Sequence, residues 1–288
     1  MNANREPASA NTPAHPRYRV SVAAAAALVT AGMAGVAWAG TGQVSAATRP
    51  QWAMMAGNIQ QLSRRDPATT AHFFNTPSAF GAGASLVRTP VQRGYAATPV
   101  LYYTSYARFA SDVANGAISY PYKWVMYDPE HRASTPVSEQ QDPKTYLRRF
   151  GRLGHAHGLK IIMAPSRDLG AVPGSKLPRQ RRESIDRWYI RVGIASAAAT
   201  YGDAYVVQDE MNAASLPEYD WLYNSAAAQA RGARSGVKVF SEVAGDCAGA
   251  SQMVAAAKSI SPDGYFVATA GQTSRTAQFF QDMKAAGY

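Results

Sequence analysis

From residue 98 to the C-terminus, six short apolar runs alternate with stretches of helical periodicity, and this alternation constrains the fold more than any other feature. The runs occupy residues 99–103, 123–127, 159–164, 204–207, 237–240 and 265–268. They are rich in Val, Ile, Tyr and Phe without strict polar alternation, the pattern of strands buried on both faces. The stretches between them carry helix punctuation. Asp142-Pro143 supplies an N-cap and a first-turn proline ahead of Tyr146, Leu147, Phe150 and Leu153, and Gly158 ends that helix. Ser215-Leu-Pro-Glu218 has the form of a capping box before Tyr219, Leu222, Tyr223 and Ala226. Strand and helix in alternation imply right-handed crossovers and a parallel sheet.

Six strands are two short of a TIM barrel. Residues 51–97 must supply the remainder, yet they read as a helix over 51–63 followed by an Ala/Thr/Gly/Pro-rich stretch with a weak strand over 85–88. The expectation is an α/β fold, a (β/α) TIM-like barrel that is complete or irregular, with an open doubly wound sheet as the alternative. The barrel is favoured because polar residues follow so many different strands.

Residues 1–46 read separately. Arg5, Arg17 and Arg19 precede an uncharged small-apolar run from Val20 to Val36, followed by Ala37-Trp38-Ala39 and Val44-Ser45-Ala46, each with the small-x-small form of a cleavage site. This is the anatomy of a secretory signal peptide, with a retained anchor as the competing reading. The expected organisation is a signal and flexible N-terminus over 1–46 and one barrel-like domain over 47–288. No second apolar stretch approaches spanning length, so no membrane span is expected in the mature chain, and the protein is expected to be secreted, extracellular or wall-associated.

The chain has 29 Lys and Arg against 19 Asp and Glu, and without residues 1–46 the excess is still +8. Such a charge favours anionic polymers and surfaces. Nucleic acid is not expected as a partner, since Arg179, Arg181, Arg182, Arg187 and Arg191 read as the solvated side of a helix whose apolar face is Ile185, Trp188, Tyr189 and Val192. A single cysteine, Cys247, excludes a disulfide framework and a Cys-rich zinc module. No P-loop, no Gly-x-Gly-x-x-Gly after a strand, no His-Glu-x-x-His and no Gly-x-Ser-x-Gly is present, so neither a cofactor nor a metal is implied.

In either architecture, working residues lie just beyond the carboxyl ends of the strands. Carboxylates occupy four of the six positions. Asp128 and Glu130 follow the second run, Asp168 the third, Asp209 and Glu210 the fourth, and Glu242 with Asp246 the fifth. A barrel would bring Asp128, Asp209 or Glu210, and Glu242 to one cleft. Paired carboxyl groups of this kind perform glycoside hydrolysis, one giving a proton and one attacking or activating water. Asp128, Asp209 and Glu242 are the candidate catalytic residues, with Glu130 and Glu210 as alternates. Tyr103, Arg167 and Gln208, with Glu130 and Glu210, are the candidate substrate contacts. Tyr102, Tyr103, Tyr106, Tyr122, Trp124 and Tyr127 cluster near the first two strand ends and offer flat faces of the kind that pack on sugar rings.

The run Tyr127-Asp-Pro-Glu130, with Thr135-Pro136 and Glu139-Gln140 downstream and Ser241-Glu242 closing a later strand, resembles secreted bacterial (β/α)-barrel proteins of glycoside-hydrolase-like type. The resemblance spans residue 99 to the C-terminus. It implies a barrel whose two carboxylates follow the fourth and seventh strands. The expected function is a secreted glycan-active protein, a glycoside hydrolase on a polysaccharide or cell-wall glycan. The alternative is an exported barrel that binds such a polymer without turnover.

Overall fold

A computed structural model describes residues 49–84 and 94–288, and residues 47–288 form one compact unit. The signal-peptide reading of residues 1–46 and the strand expected over 85–88 lie outside the described residues.

Eight parallel strands close into a barrel in sequence order. They are β1 (Gln51–Met55), β2 (Phe80–Gly83), β3 (Thr98–Tyr103), β4 (Trp124–Tyr127), β5 (Lys160–Met163), β6 (Ala204–Val207), β7 (Lys238–Ala244) and β8 (Gly264–Ala268). The last six match the apolar runs of the sequence, and the fold is a TIM-like α/β barrel. The helix expected over 51–63 is corrected at its start: residues Gln51–Met55 are strand, and helix α1 runs Ala56–Arg65. Gln-Trp-Ala-Met-Met carries no β-branched residue, but its backbone is paired on both sides, Ala53 opposite Phe80 of β2 and Phe266 of β8. Tertiary pairing overrides the local preference here.

The outer layer adds α2 (Pro67–Phe74), α3 (Tyr106–Ala114), α4 (Val137–Gln141), α5 (Pro143–Ala156), α6 (Ile185–Arg191), α7 (Ile194–Tyr201), α8 (Leu216–Ala233), α9 (Ala250–Ser259) and α10 (Thr273–Ala285). Arg179, Arg181 and Arg182 precede α6, while Trp188 and Tyr189 form its buried face. Ser215 caps α8 through its backbone carbonyl, which accepts from the Glu218 and Tyr219 amides, and the side-chain bond of a capping box is not made.

Two apolar clusters follow from the two faces of each strand. Ala53, Phe80, Val100, Met126, Ile162, Val206, Phe240 and Phe266 point inward and leave a void of only about 10 Å³, so the barrel interior is a packed core. Leu101, Tyr103, Val125, Tyr127, Ile161, Tyr205, Val207, Val239 and Tyr265 point outward beneath the helices. Gly264 admits this packing: a Cβ there would overlap the Phe240 ring and lie 2.6 Å from the Gln51 carbonyl oxygen.

At the amino-terminal end of the barrel, carboxylates staple neighbouring strands. Asp203 accepts from the Ile161 amide at 2.8 Å and from Arg234, and Asp263 accepts from the Val239 amide at 2.8 Å. Among the described residues no helix is long and apolar enough to cross a membrane.

Candidate active site

The inward series continues past the core. Alternation along a strand carries Val100 to Tyr102, Met126 to Asp128, Val206 to Gln208, and Phe240 to Glu242. Apolar packing therefore gives way to polar groups at the carboxyl end of the barrel. Above them lies a cavity of about 600 Å³, lined by Glu130, Arg167, Asp168, Asp186, Gln208, Glu210 and Glu242, among others.

Asp128 lies beneath this cavity and is nearly enclosed. It accepts from Tyr102 Oη at 2.6 Å and Gln208 Nε2 at 2.7 Å, with Arg132 at 3.5 Å. Gln208 is held in turn by a bond to the Ala164 carbonyl at 2.9 Å. Arg132 binds Glu130 Oε1 at 2.7 Å and Tyr102 Oη at 2.7 Å, so one guanidinium ties the loop after β4 to the end of β3.

Residues downstream of β4 build the support for that loop. Gln140 donates to the Arg132 carbonyl at 2.9 Å and the Thr135 carbonyl at 2.6 Å. Glu139 is buried and receives the Tyr106 amide at 2.7 Å, the Ala107 amide at 3.1 Å, Ser105 Oγ at 3.1 Å and Tyr127 Oη at 2.7 Å. A carboxylate at the amino end of α3 satisfies orphan amides and meets the positive end of the helix dipole.

On the other wall, the Arg167 guanidinium binds Asp186 at 2.5 Å, and Asn212 Nδ2 donates to Asp186 at 3.1 Å. Asp168 accepts from the His131 amide at 2.9 Å. Glu210 and Glu242 differ from all these groups. Glu210 Oε2 is fully enclosed with no hydrogen-bond partner, and the Glu242 carboxylate accepts no hydrogen bond among the described residues.

The electrostatics follow from this crowding. Burial, then the charges of Glu210, Asp128 and Glu130, hold the Glu242 carboxyl well above the usual range. Burial and the neighbouring Asp128 push Glu130 up to about 8. Burial raises Glu210 to about 7, with the Arg167 charge pulling the other way. Burial also raises Asp128, opposed chiefly by Tyr102 and Arg132. Carboxyl groups pushed apart in this manner can divide the roles of acid and base.

The sequence candidates Glu130, Arg167, Gln208, Glu210 and Glu242 are thus brought together around the cavity, with Asp128 beneath. Asp209 is turned the other way. It shares the outward face with Tyr205 and Val207, is fully buried, and accepts from Ser241 Oγ at 2.9 and 3.0 Å and from the Glu242 amide at 3.1 Å. It fixes the backbone that carries Glu242 without reaching the cavity. Tyr103 is likewise outward, packed on Phe109 with its hydroxyl on Asp112 at 3.1 Å.

The aromatic cluster does not form a sugar platform. Tyr127 stacks on Phe150 beneath the helices, Trp124 packs on Phe80 inside the barrel, and Tyr106 packs on Tyr146. Tyr102 of that group reaches the carboxyl cluster at the cavity, through Asp128. Asp186 and Asn212 were not singled out from the sequence, because Asp186 opens a helix dominated by its basic residues and Asn212 lies in a short turn. The Cys247 thiol, pushed up to about 12 by burial, lies 3.3 Å from Met211 Sδ and is not activated as a nucleophile. No group of three or more His, Cys, Asp or Glu side chains disposed to hold a metal ion occurs among the described residues.

No family model matches the chain, and no curated protein matches it. The chemistry of the cavity therefore carries the functional reading.

Proposed function

We propose that the protein is a secreted glycoside hydrolase whose acid is Glu242 and whose ionised partner is Glu210. The observation that carries this reading is the carboxyl of Glu242, which receives no hydrogen bond among the described residues and projects from β7 into the same cavity as Glu210. A carboxyl group with no donor and several anionic neighbours keeps its proton at neutral pH, as a glycosidic acid must. Of the two, Glu210, beside Arg167, is better able to stay ionised. It would attack the anomeric carbon or take a proton from water while Glu242 protonates the leaving oxygen. Gln208, Arg167 and Glu130 would contact the sugar. In the closed barrel Glu242 lies on the seventh strand, where the resemblance implies one of the two carboxylates, whereas Glu210 follows the sixth and the fourth-strand position holds Asp128 and Glu130.

The test is release of reducing ends from a polysaccharide panel by the parent and by the Glu242→Gln and Glu210→Gln variants. Each variant is expected to lose about 10²–10⁴-fold in kcat, the usual contribution of one acid or base. The parent's activity should need Glu210 ionised and Glu242 protonated, with an acid limb near pH 7. Turnover that survives both substitutions would assign the reaction to other residues. Retention of a glycan by a parent that hydrolyses none would favour the binding protein.

A further inference from the structure

The lining of the cavity is lopsided in charge. Among the described residues of the lining, five carboxyl groups, those of Glu130, Asp168, Asp186, Glu210 and Glu242, face one guanidinium, that of Arg167. Arg167 is engaged by Asp186, Arg132 from below is engaged by Glu130, and Asp168 is taken by the His131 amide. Among the described residues, Glu210 Oε2, which is enclosed, and the Glu242 carboxyl, which lines the cavity, receive no hydrogen bond.

Crowded carboxyl groups with few donors are costly unless a ligand supplies donors and positive charge. A neutral hydroxyl would satisfy the hydrogen bond but leave the charge, and a uronate would add to it. A metal ion is poorly suited, since no three ligating side chains are disposed around one point among the described residues. A protonated primary amine fits both needs, with three N–H donors and a positive charge. The protein's own surplus of positive charge does not oppose this. Arg148, Arg149 and Arg152 are exposed on α5, outside the cavity lining, and exposed charges are screened over roughly 8 Å at physiological salt.

We infer that the cavity selects a sugar unit bearing a free amine, an unacetylated hexosamine, with its ammonium on the cavity side of the Glu210 carboxylate. This rests on the proposed glycan-active reading of the same site and names its substrate class.

The experiment measures binding by calorimetry to the full chain at pH 7, with turnover followed in parallel. The probes are glucosamine and galactosamine oligosaccharides, their N-acetylated counterparts, and oligouronates. At least one free-amine oligosaccharide should bind about tenfold or more tightly than its N-acetylated form, the scale of one charge-assisted hydrogen bond. The preference should weaken in high salt and shrink to less than about threefold in Glu210→Gln, as expected when a hydrogen bond loses its charge assistance. Equal or tighter binding of the N-acetylated or acidic sugars overturns the inference. If those sugars are hydrolysed, the hydrolase reading stands without it. A strong amine preference with no turnover keeps the inference and removes the hydrolase. No binding of any sugar removes both.

Discussion

Replacing Glu139 with alanine tests whether the support beneath the β4 loop is as strong as its geometry implies. The carboxylate receives two amides of α3 and two hydroxyls, with four contacts between 2.7 and 3.1 Å. A hydrogen bond to a charged group contributes about 1.5–3 kcal/mol, and a buried donor left unpaired costs about 1–3 kcal/mol. The Ser105 and Tyr127 hydroxyls can rotate, and Ser105 Oγ already accepts from the Arg108 amide, so the two amides carry most of the loss. The expected cost for Glu139→Ala is about 4 kcal/mol, and for Glu139→Gln, which keeps one acceptor oxygen, about half that. Urea unfolding would read the difference directly, and the melting temperature of a domain this size should fall by about 8–16 °C. Tyr127→Phe alone should cost about 1 kcal/mol, and its combination with Glu139→Ala should cost less than the sum. A Glu139→Ala variant that loses under about 1 kcal/mol would refute the assignment of this carboxylate as the anchor of α3 and of the strand carrying Asp128.

Two further outcomes follow. Glu130 and Glu210 titrate near 8 and 7 in the folded chain, above the ordinary 4.5, so the folded state holds more protons than the unfolded one between those values. Stability from these groups must therefore fall as pH rises from about 5 to 8. The lowered carboxylates Asp66, Asp142, Asp203 and Glu183 titrate below this window and cannot mask the trend. Urea midpoints across that range should decline, Glu210→Gln should flatten the decline, and a rising profile would contradict the electrostatics. Separately, Gly151→Ala should cost about 2–3 kcal/mol by overpacking, since its Cβ would overlap the Tyr201 carbonyl and lie 2.6 Å from Tyr201 Cβ. Gly232→Ala on α8 has open space around it and should gain about 0.5–1 kcal/mol, so equal midpoints for the two variants would count against the α5–α7 packing.

The sequence made β3 to β8 legible because each is a dense apolar run between helix signals. It hid β1 and β2 for a physical reason. Gln-Trp-Ala-Met-Met and Phe-Gly-Ala-Gly have little intrinsic strand preference, and only their barrel neighbours specify them. The lining of the cavity was legible to within one residue. Glu210 against Asp209, and Tyr102 against Tyr103, differ only in which face of the strand they occupy. Strands buried on both faces show no polar alternation, so the register that sorts inward from outward residues cannot be read from them. Polar partners expose the sorting afterwards: Asp209 finds Ser241 on the outer face, while the Glu242 carboxyl on the inner face finds none among the described residues.

The ring of strands is closed by β1 and β8, which come from opposite ends of the described chain and pair from Gln51–Gly264 to Met54–Val267. Every other neighbouring pair is joined by a crossover of moderate length, whereas this seam waits for the last strand to be made. A chain stopped before β8 would leave β1 and β7 as bare edges, with Phe240 stripped of its cover by the missing Gly264 strand. Such a barrel becomes a single cooperative object only when its synthesis is complete, and until then it depends on remaining unfolded or guarded.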